Sequence, residues 1–168
     1  MPTFSFAPSP YIARIGEHLL GLPQQLEPYA DSEYLTLGNQ WLPYFDATRD
    51  TAPAEGEKEL IDYTEPWIVS VVKTTIHDYL VRILEIPHLS DQGVKQLLAD
   101  LQYFRNVLSA LEISLQPDFD ELQRYLATNQ ADLKALLAEK GQQESPLFLK
   151  VATMRGLSLA GDPKKVNK

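Results

Sequence analysis

The sequence predicts an all-α fold, a helical bundle of about six helices. Three observations carry that prediction. First, Val94, Leu97, Leu101, Phe104, Leu108, Leu111 and Leu115 recur at steps of three and four. Such steps put all seven on one face of a helix, expected from Ser90 to about Leu115. Second, Ile68, Val72, Ile76, Tyr79, Ile83 and Ile86 repeat the same spacing. Third, prolines, serines and a glycine separate the apolar runs where helices must start and stop. No segment reads as a convincing strand.

The first helix is expected to open at Ser9-Pro10, because serine suits an N-cap and proline is tolerated in the first turn. Ile12, Ile15, Leu19 and Leu22 line its buried face. Pro23 lacks an amide proton, so a kink or split is expected there, with Gln24 to Tyr29 as a further turn. Pro28 and Asp31-Ser32 close it. Residues 32 to 63 are mixed. Tyr34, Leu35 and Leu37 suit a short helix, Trp41, Leu42, Tyr44 and Phe45 suit anchors to a core, and Thr48 to Lys58 reads as mobile.

The second long helix is expected from about Glu65 to Ile86, capped by Thr64, with Pro66 in its first turn. Trp67, Val69, Val71, Leu80 and Leu84 widen its stripe, which predicts a central helix contacted on more than one side. Its many β-branched residues make a strand at 68–72 the competing reading, and the stripe's length favours helix. Pro87 ends it. The short link His88-Leu89-Ser90 brings the next helix back antiparallel. That helix is the long stripe, capped by Ser90. Pro117 ends the connection after it. Asp118 to about Thr128 follows, with Phe119, Leu122 and Leu126. Asn129 to Lys140 carries Leu133, Leu136 and Leu137, and Gly141 suits its C-cap. Ser145-Pro146 opens a last helix, from Leu147 to about Leu157. One domain is expected over residues 1–168, with an acidic, partly irregular segment at about 30–64 and a frayed tail at about 160–168.

Composition bounds the function. The chain has 168 residues, 44% hydrophobic residues, no cysteine and a net charge of −8. Disulfides and zinc-thiolate sites are excluded. No run of about 18 apolar residues suggests a transmembrane helix. Glu27, Asp31, Glu33, Asp46, Asp50, Glu55, Glu57, Glu59, Asp62 and Glu65 cluster against only Arg49 and Lys58. This stretch reads as a solvated linker, with a basic partner as the alternative. No basic face suggests nucleic-acid binding.

Chemistry-bearing motifs are scarce. Glu85-x-x-His88 has the spacing of half a di-metal carboxylate site, but no second pair exists and Pro87 breaks the helix. Glu17-His18 and His77-Asp78 are chain neighbours, which do not face each other on a helix. No phosphate loop, dinucleotide fingerprint, nucleophile elbow or His-Glu-x-x-His occurs. No catalytic, cofactor-binding or metal-ligating residue is therefore assigned. Trp67, Tyr103 and Phe104 read as core aromatics. Gln24 and Gln25 stand between two prolines. They suit backbone groups freed by a kink, or a partner-binding role.

Several blocks resemble a known family. They are Tyr11-Ile12-x-x-Ile15-Gly16-Glu17-x-Leu19-Leu20-x-Leu22-Pro23-Gln24-Gln25-Leu26-Glu27-Pro28, Leu89-Ser90, Gln96-Leu97, Asp100-x-x-Tyr103, Asn106-Val107-Leu108-x-Ala110-Leu111 and Val151-Ala152-Thr153-Met154-Arg155. In that order they resemble the C-terminal region of subunit 7 of the conserved oligomeric Golgi (COG) vesicle-tethering complex. Residues 30–64 and the tail from Gly156 lie outside the matched blocks. The resemblance implies a helical interaction module without catalysis or cofactor, and a chain that is a fragment of a longer subunit. Its implied partners are other tethering-complex subunits, and SNAREs or small GTPases. Its implied place is the cytosolic face of Golgi membranes, in retrograde transport that maintains glycosylation. Lys164, Lys165 and Lys168 are too few for firm membrane binding, at about 1 kcal/mol each, so membrane contact is expected only through partners. An unrelated helical scaffold and a small-ligand-binding bundle are the alternatives.

Overall fold

The computed structural model describes residues 7–30, 64–140 and 145–157. Among these are six α-helices and one short 3-10 turn, and no strand. The helices are α1 (Pro10–Leu26), α2 (Glu65–Leu84), α3 (Asp91–Ala110), α4 (Pro117–Ala127), α5 (Gln130–Lys140) and α6 (Pro146–Met154). The expectations for residues 31–63, Gly141 and the tail beyond residue 157 lie outside the described residues.

The central helix is α3. Ser90 caps it, its hydroxyl accepting from the Gly93 amide at 3.1 Å. Val94, Leu97, Leu101, Phe104 and Leu108 of the predicted stripe are buried, with Leu101 and Phe104 fully enclosed. The helix stops at Ala110, short of the expected Leu115. Glu112 takes a left-handed backbone (φ 56°). The Ile113 amide then donates to the Leu108 carbonyl at 2.9 Å, and Glu112 to Ser109 at 3.2 Å. This is a Schellman closure with glutamate where glycine usually stands. Leu111 and Leu115 still pack on the core, half-buried, from beyond the helix.

Helix α1 runs parallel to α3. Its N-terminus meets Asp100, its middle meets Tyr103, and Pro23 near its end faces Ala110 to Ser114. The approach is close because Gly16 has no side chain. A Cβ there would stand 2.4 Å from Tyr103 Cε1 and 2.9 Å from its hydroxyl oxygen. The Tyr103 hydroxyl donates to the Ala13 carbonyl at 3.2 Å. Two local readings need correction. Pro23 does not split the helix, which continues to Leu26, and only Glu27–Tyr29 tighten into a 3-10 turn. Proline removes the one amide that would donate to the Leu19 carbonyl, and the helix carries on for a further turn beyond it. Ser9 sits at the N-cap position, yet its side chain bonds Asp100 rather than the α1 backbone.

Helix α2 packs against α1 and reaches α3 through Tyr79, whose ring meets Phe104 edge-on at 5.1 Å. Its first residues lie beside the end of α3, so the short link does return the chain antiparallel. It is not central, however. Val72, Ile76, Leu80 and Ile83 are buried, while Val71 and Val81 are 39% and 42% exposed. Trp67 is half-buried rather than core. Thr64 makes no side-chain cap, because its backbone is already helical (φ −84°, ψ −28°) and a cap needs an extended one.

Helix α4 lies antiparallel to α3. Arg105 donates to Asp120 and to Gln123 Oε1, and Gln123 reaches back to Gln102. Helix α6 runs parallel to α4, with Tyr125 and Phe148 edge-on at 5.2 Å. Ser145 caps α6 by accepting from the Phe148 amide at 3.2 Å. Asn129 caps α5, accepting from the Asp132 amide at 2.8 Å. Leu133 and Leu137 of α5 are buried in the same core. Arg155, only 7% exposed in its side chain, lies 3.6 Å from Asp91 and donates to the Thr128 carbonyl. It thereby joins the end of α6 to the end of α4 and the start of α3.

Gly16→Ala is expected to destabilise the fold by about 1–3 kcal/mol, because the added methyl overpacks against Tyr103. In a Tyr103→Ala background the same change should be neutral or stabilising, since alanine favours helix. Urea melts of the four proteins test this, and equal effects in both backgrounds would refute the contact. Glu112→Gly is expected to stabilise by about 1 kcal/mol by relieving the left-handed backbone. A lowered melting temperature for that variant would count against the closure described.

Candidate docking surfaces

Among the described residues, a buried polar junction and two concave surfaces stand out. The junction lies where α1 begins. Asp100 is 1% exposed. Its Oδ1 accepts from the Ser9 amide at 2.6 Å and from Gln96 Nε2 at 3.1 Å, and its Oδ2 accepts from Ser9 Oγ at 2.9 Å. Gln96 also donates to the Ala7 carbonyl at 3.0 Å. A buried carboxylate needs hydrogen bonds or an opposite charge. No ion pair to Asp100 is found among the described residues, so these donors and the positive end of α1 stabilise it. Tyr79 borders the junction. Burial first, and then the Asp100 charge, pushes its phenol far above the ordinary tyrosine range. The hydroxyl lies near Asp100 and Tyr11 but meets neither at hydrogen-bond geometry.

The first concavity, of about 550 Å³, sits where Pro23, the start of α2 and the end of α3 meet. Glu65, Lys73 and Glu112 line it beside Ile68, Val69 and Leu111. Gln24 and Gln25 follow Pro23 on the last turn of α1, and both are exposed. Neither forms a side-chain hydrogen bond among the described residues, so the expected rescue of kinked backbone is not what they do there.

The second is a groove of about 370 Å³ between α2, α4 and α6. Leu80, Val81, Leu84, Leu122, Pro146 and Leu147 give it an apolar floor. His77, Asp118, Glu121 and Lys150 also line it. Asp100 and the groove residues were not assigned as sites from sequence. Asp100 interrupts an apolar stripe as a flanking acid, which is a detectable signal. The groove draws on three helices far apart in sequence and leaves no local signal.

Among the described residues no three His, Asp or Glu side chains cluster to hold a metal ion. No described helix is long and apolar enough to cross a membrane. Fold and surfaces together define an all-helical chain whose features are packing contacts and open concave faces. The chain belongs to the Golgi complex component 7 (COG7) family, whose match covers residues 1–156. It is similar to the conserved oligomeric Golgi complex subunit 7 of Homo sapiens, 32% identical over 162 residues, covering 94% of this chain and 20% of that protein. The subunit 7 of Mus musculus is 34% identical over 166 residues, and that of Arabidopsis thaliana 32% over 160. The chain thus spans about 20% of the length of the animal relatives and 17% of the plant one. No solved structure matches it.

Asp100→Ala is expected to cost about 2–3 kcal/mol, since it leaves buried donors without their charged acceptor. Hydrogen exchange should accelerate at the Ser9 amide and through the first turn of α1. Unchanged exchange at Ser9 would mean that another group holds the start of α1.

Proposed function

We propose that this chain is the C-terminal interaction module of a subunit of the conserved oligomeric Golgi tethering complex. It acts by docking, without catalysis, in retrograde vesicle transport within the Golgi, and so in maintaining glycosylation. Its partners are other subunits of the complex, with SNAREs or small GTPases as further ones. It works at the cytosolic face of Golgi membranes and meets the membrane through those partners. The observation that carries this reading is the family match over residues 1–156. The groove with its apolar floor supports it, because helical partners insert side chains into such surfaces. Gln24 and Gln25, exposed on the last turn of α1, are proposed partner contacts.

The test is capture by the tagged chain from cell lysate, followed by mass spectrometry. Other subunits of the tethering complex are expected in the captured set, and Gln24→Ala with Gln25→Ala is expected to reduce their yield severalfold without changing the melting temperature. A folded chain that captures no tether component would overturn the proposal.

A further inference from the structure

We propose that the groove between α2, α4 and α6 receives an amphipathic helix from a partner protein, with basic residues flanking its apolar stripe. The proposal rests on the docking function above and specifies the chemistry of the partner. Leu80, Leu84, Leu122 and Leu147 form an apolar floor, and Val81 stands at the groove 42% exposed. A volume of about 370 Å³ takes a few apolar side chains rather than a whole folded surface. A helix supplies such side chains at i, i+3 and i+7 on one face.

Charge selects the occupant. Arg82 pairs with Glu85, Arg105 pairs with Asp120, and Arg124 lies over the Tyr125 ring. The charges lining the groove differ. Asp118 and Lys150 make no ion pair among the described residues. Glu121 accepts from Ser145 Oγ at 2.8 Å and from the Tyr125 hydroxyl at 2.9 Å, both on Oε1. Its Oε2 accepts nothing among the described residues. Those two bonds hold the carboxylate in place without neutralising it. Asp118 and Glu121 stand three residues apart on one face of α4, so that wall presents two anionic groups over an apolar floor. Lys150 puts a single cation on the α6 wall. An occupant with lysine or arginine toward α4 gains two charge-assisted contacts, and an acid toward Lys150 fixes which way round it lies.

The test uses the full chain and two designed helical peptides of roughly 20 residues, with identical leucines. One carries flanking lysines, the other glutamates in their place. In fluorescence anisotropy the lysine peptide should bind saturably and about ten-fold more tightly than the glutamate peptide. Val81→Asp, on an exposed position, should weaken it about ten-fold with the melting temperature unchanged. Asp118→Lys should narrow the gap between the two peptides. Equal binding of both, binding of neither, or full binding by Val81→Asp would overturn the groove assignment. If the lysine peptide fails while the chain still captures tether subunits, the groove assignment falls and the docking function stands. If the peptide binds and capture fails, the groove assignment stands and the docking function falls.

Discussion

The closeness with which α1 lies along α3 is the constraint on which the rest of the bundle depends. Parallel helices cannot be joined by a short link, so nothing in the connectivity sets their register. Side chains must do it. Gly16 gives up its Cβ so that the Tyr103 ring can occupy that space, and the Tyr103 hydroxyl then finds the Ala13 carbonyl. One turn earlier along α3, Asp100 takes the amide and hydroxyl of Ser9. A one-residue slip would bring a larger side chain against Tyr103 and leave a buried carboxylate short of donors. With the register fixed, Ile12 and Leu19 fall into the core and Phe104 is free to meet Tyr79.

The opposite side of α3 is held differently. Here the neighbours are α4 and α6, and Arg155 draws their ends toward the start of α3. The Leu89 amide donates to the Met154 carbonyl at 2.7 Å, which ties the α2–α3 link to the same point. Helix α6 can end so abruptly because Gly156 adopts φ 76° and lets Leu157 donate back to Ala152 at 2.9 Å. The end of α3 uses the same device without glycine. Both ends of the central helix are therefore fixed, one by a backbone closure and the other by a buried guanidinium.

Much of this was legible in the sequence and some was not, for physical reasons. Periodicity reports which face of a helix is buried, so the α3 stripe and the helix count were readable. It does not report where a helix ends when the closing residue is Glu112, since the left-handed signal resides in glycine. Ser9 illustrates another limit. Ser-Pro correctly marked a helix start, but the partner of the hydroxyl, Asp100, is far away in sequence. Helix α2 misled because β-branched residues around its whole circumference look the same whether covered or exposed. The blocks that carry the family resemblance include Gly16, Gln96, Asp100 and Tyr103, and these are where α1 and α3 meet. The groove had no local signature at all, because Leu80, Leu122 and Leu147 become neighbours only in the fold.

These two arrangements bear on docking. Helix α2 is seated on α1 and meets α3 at the Tyr79–Phe104 ring pair, whereas α4 and α6 are seated on each other. The groove thus has walls that are anchored separately, with α3 as their common support. A helix entering it would cover Val81, fill the space over Leu84 and Leu147, and touch both sets of walls at once. It would add contacts that bridge them. Binding there would then stiffen α2 against α4 and α6, so protection of α2 amides from hydrogen exchange would report occupancy even without a change of shape.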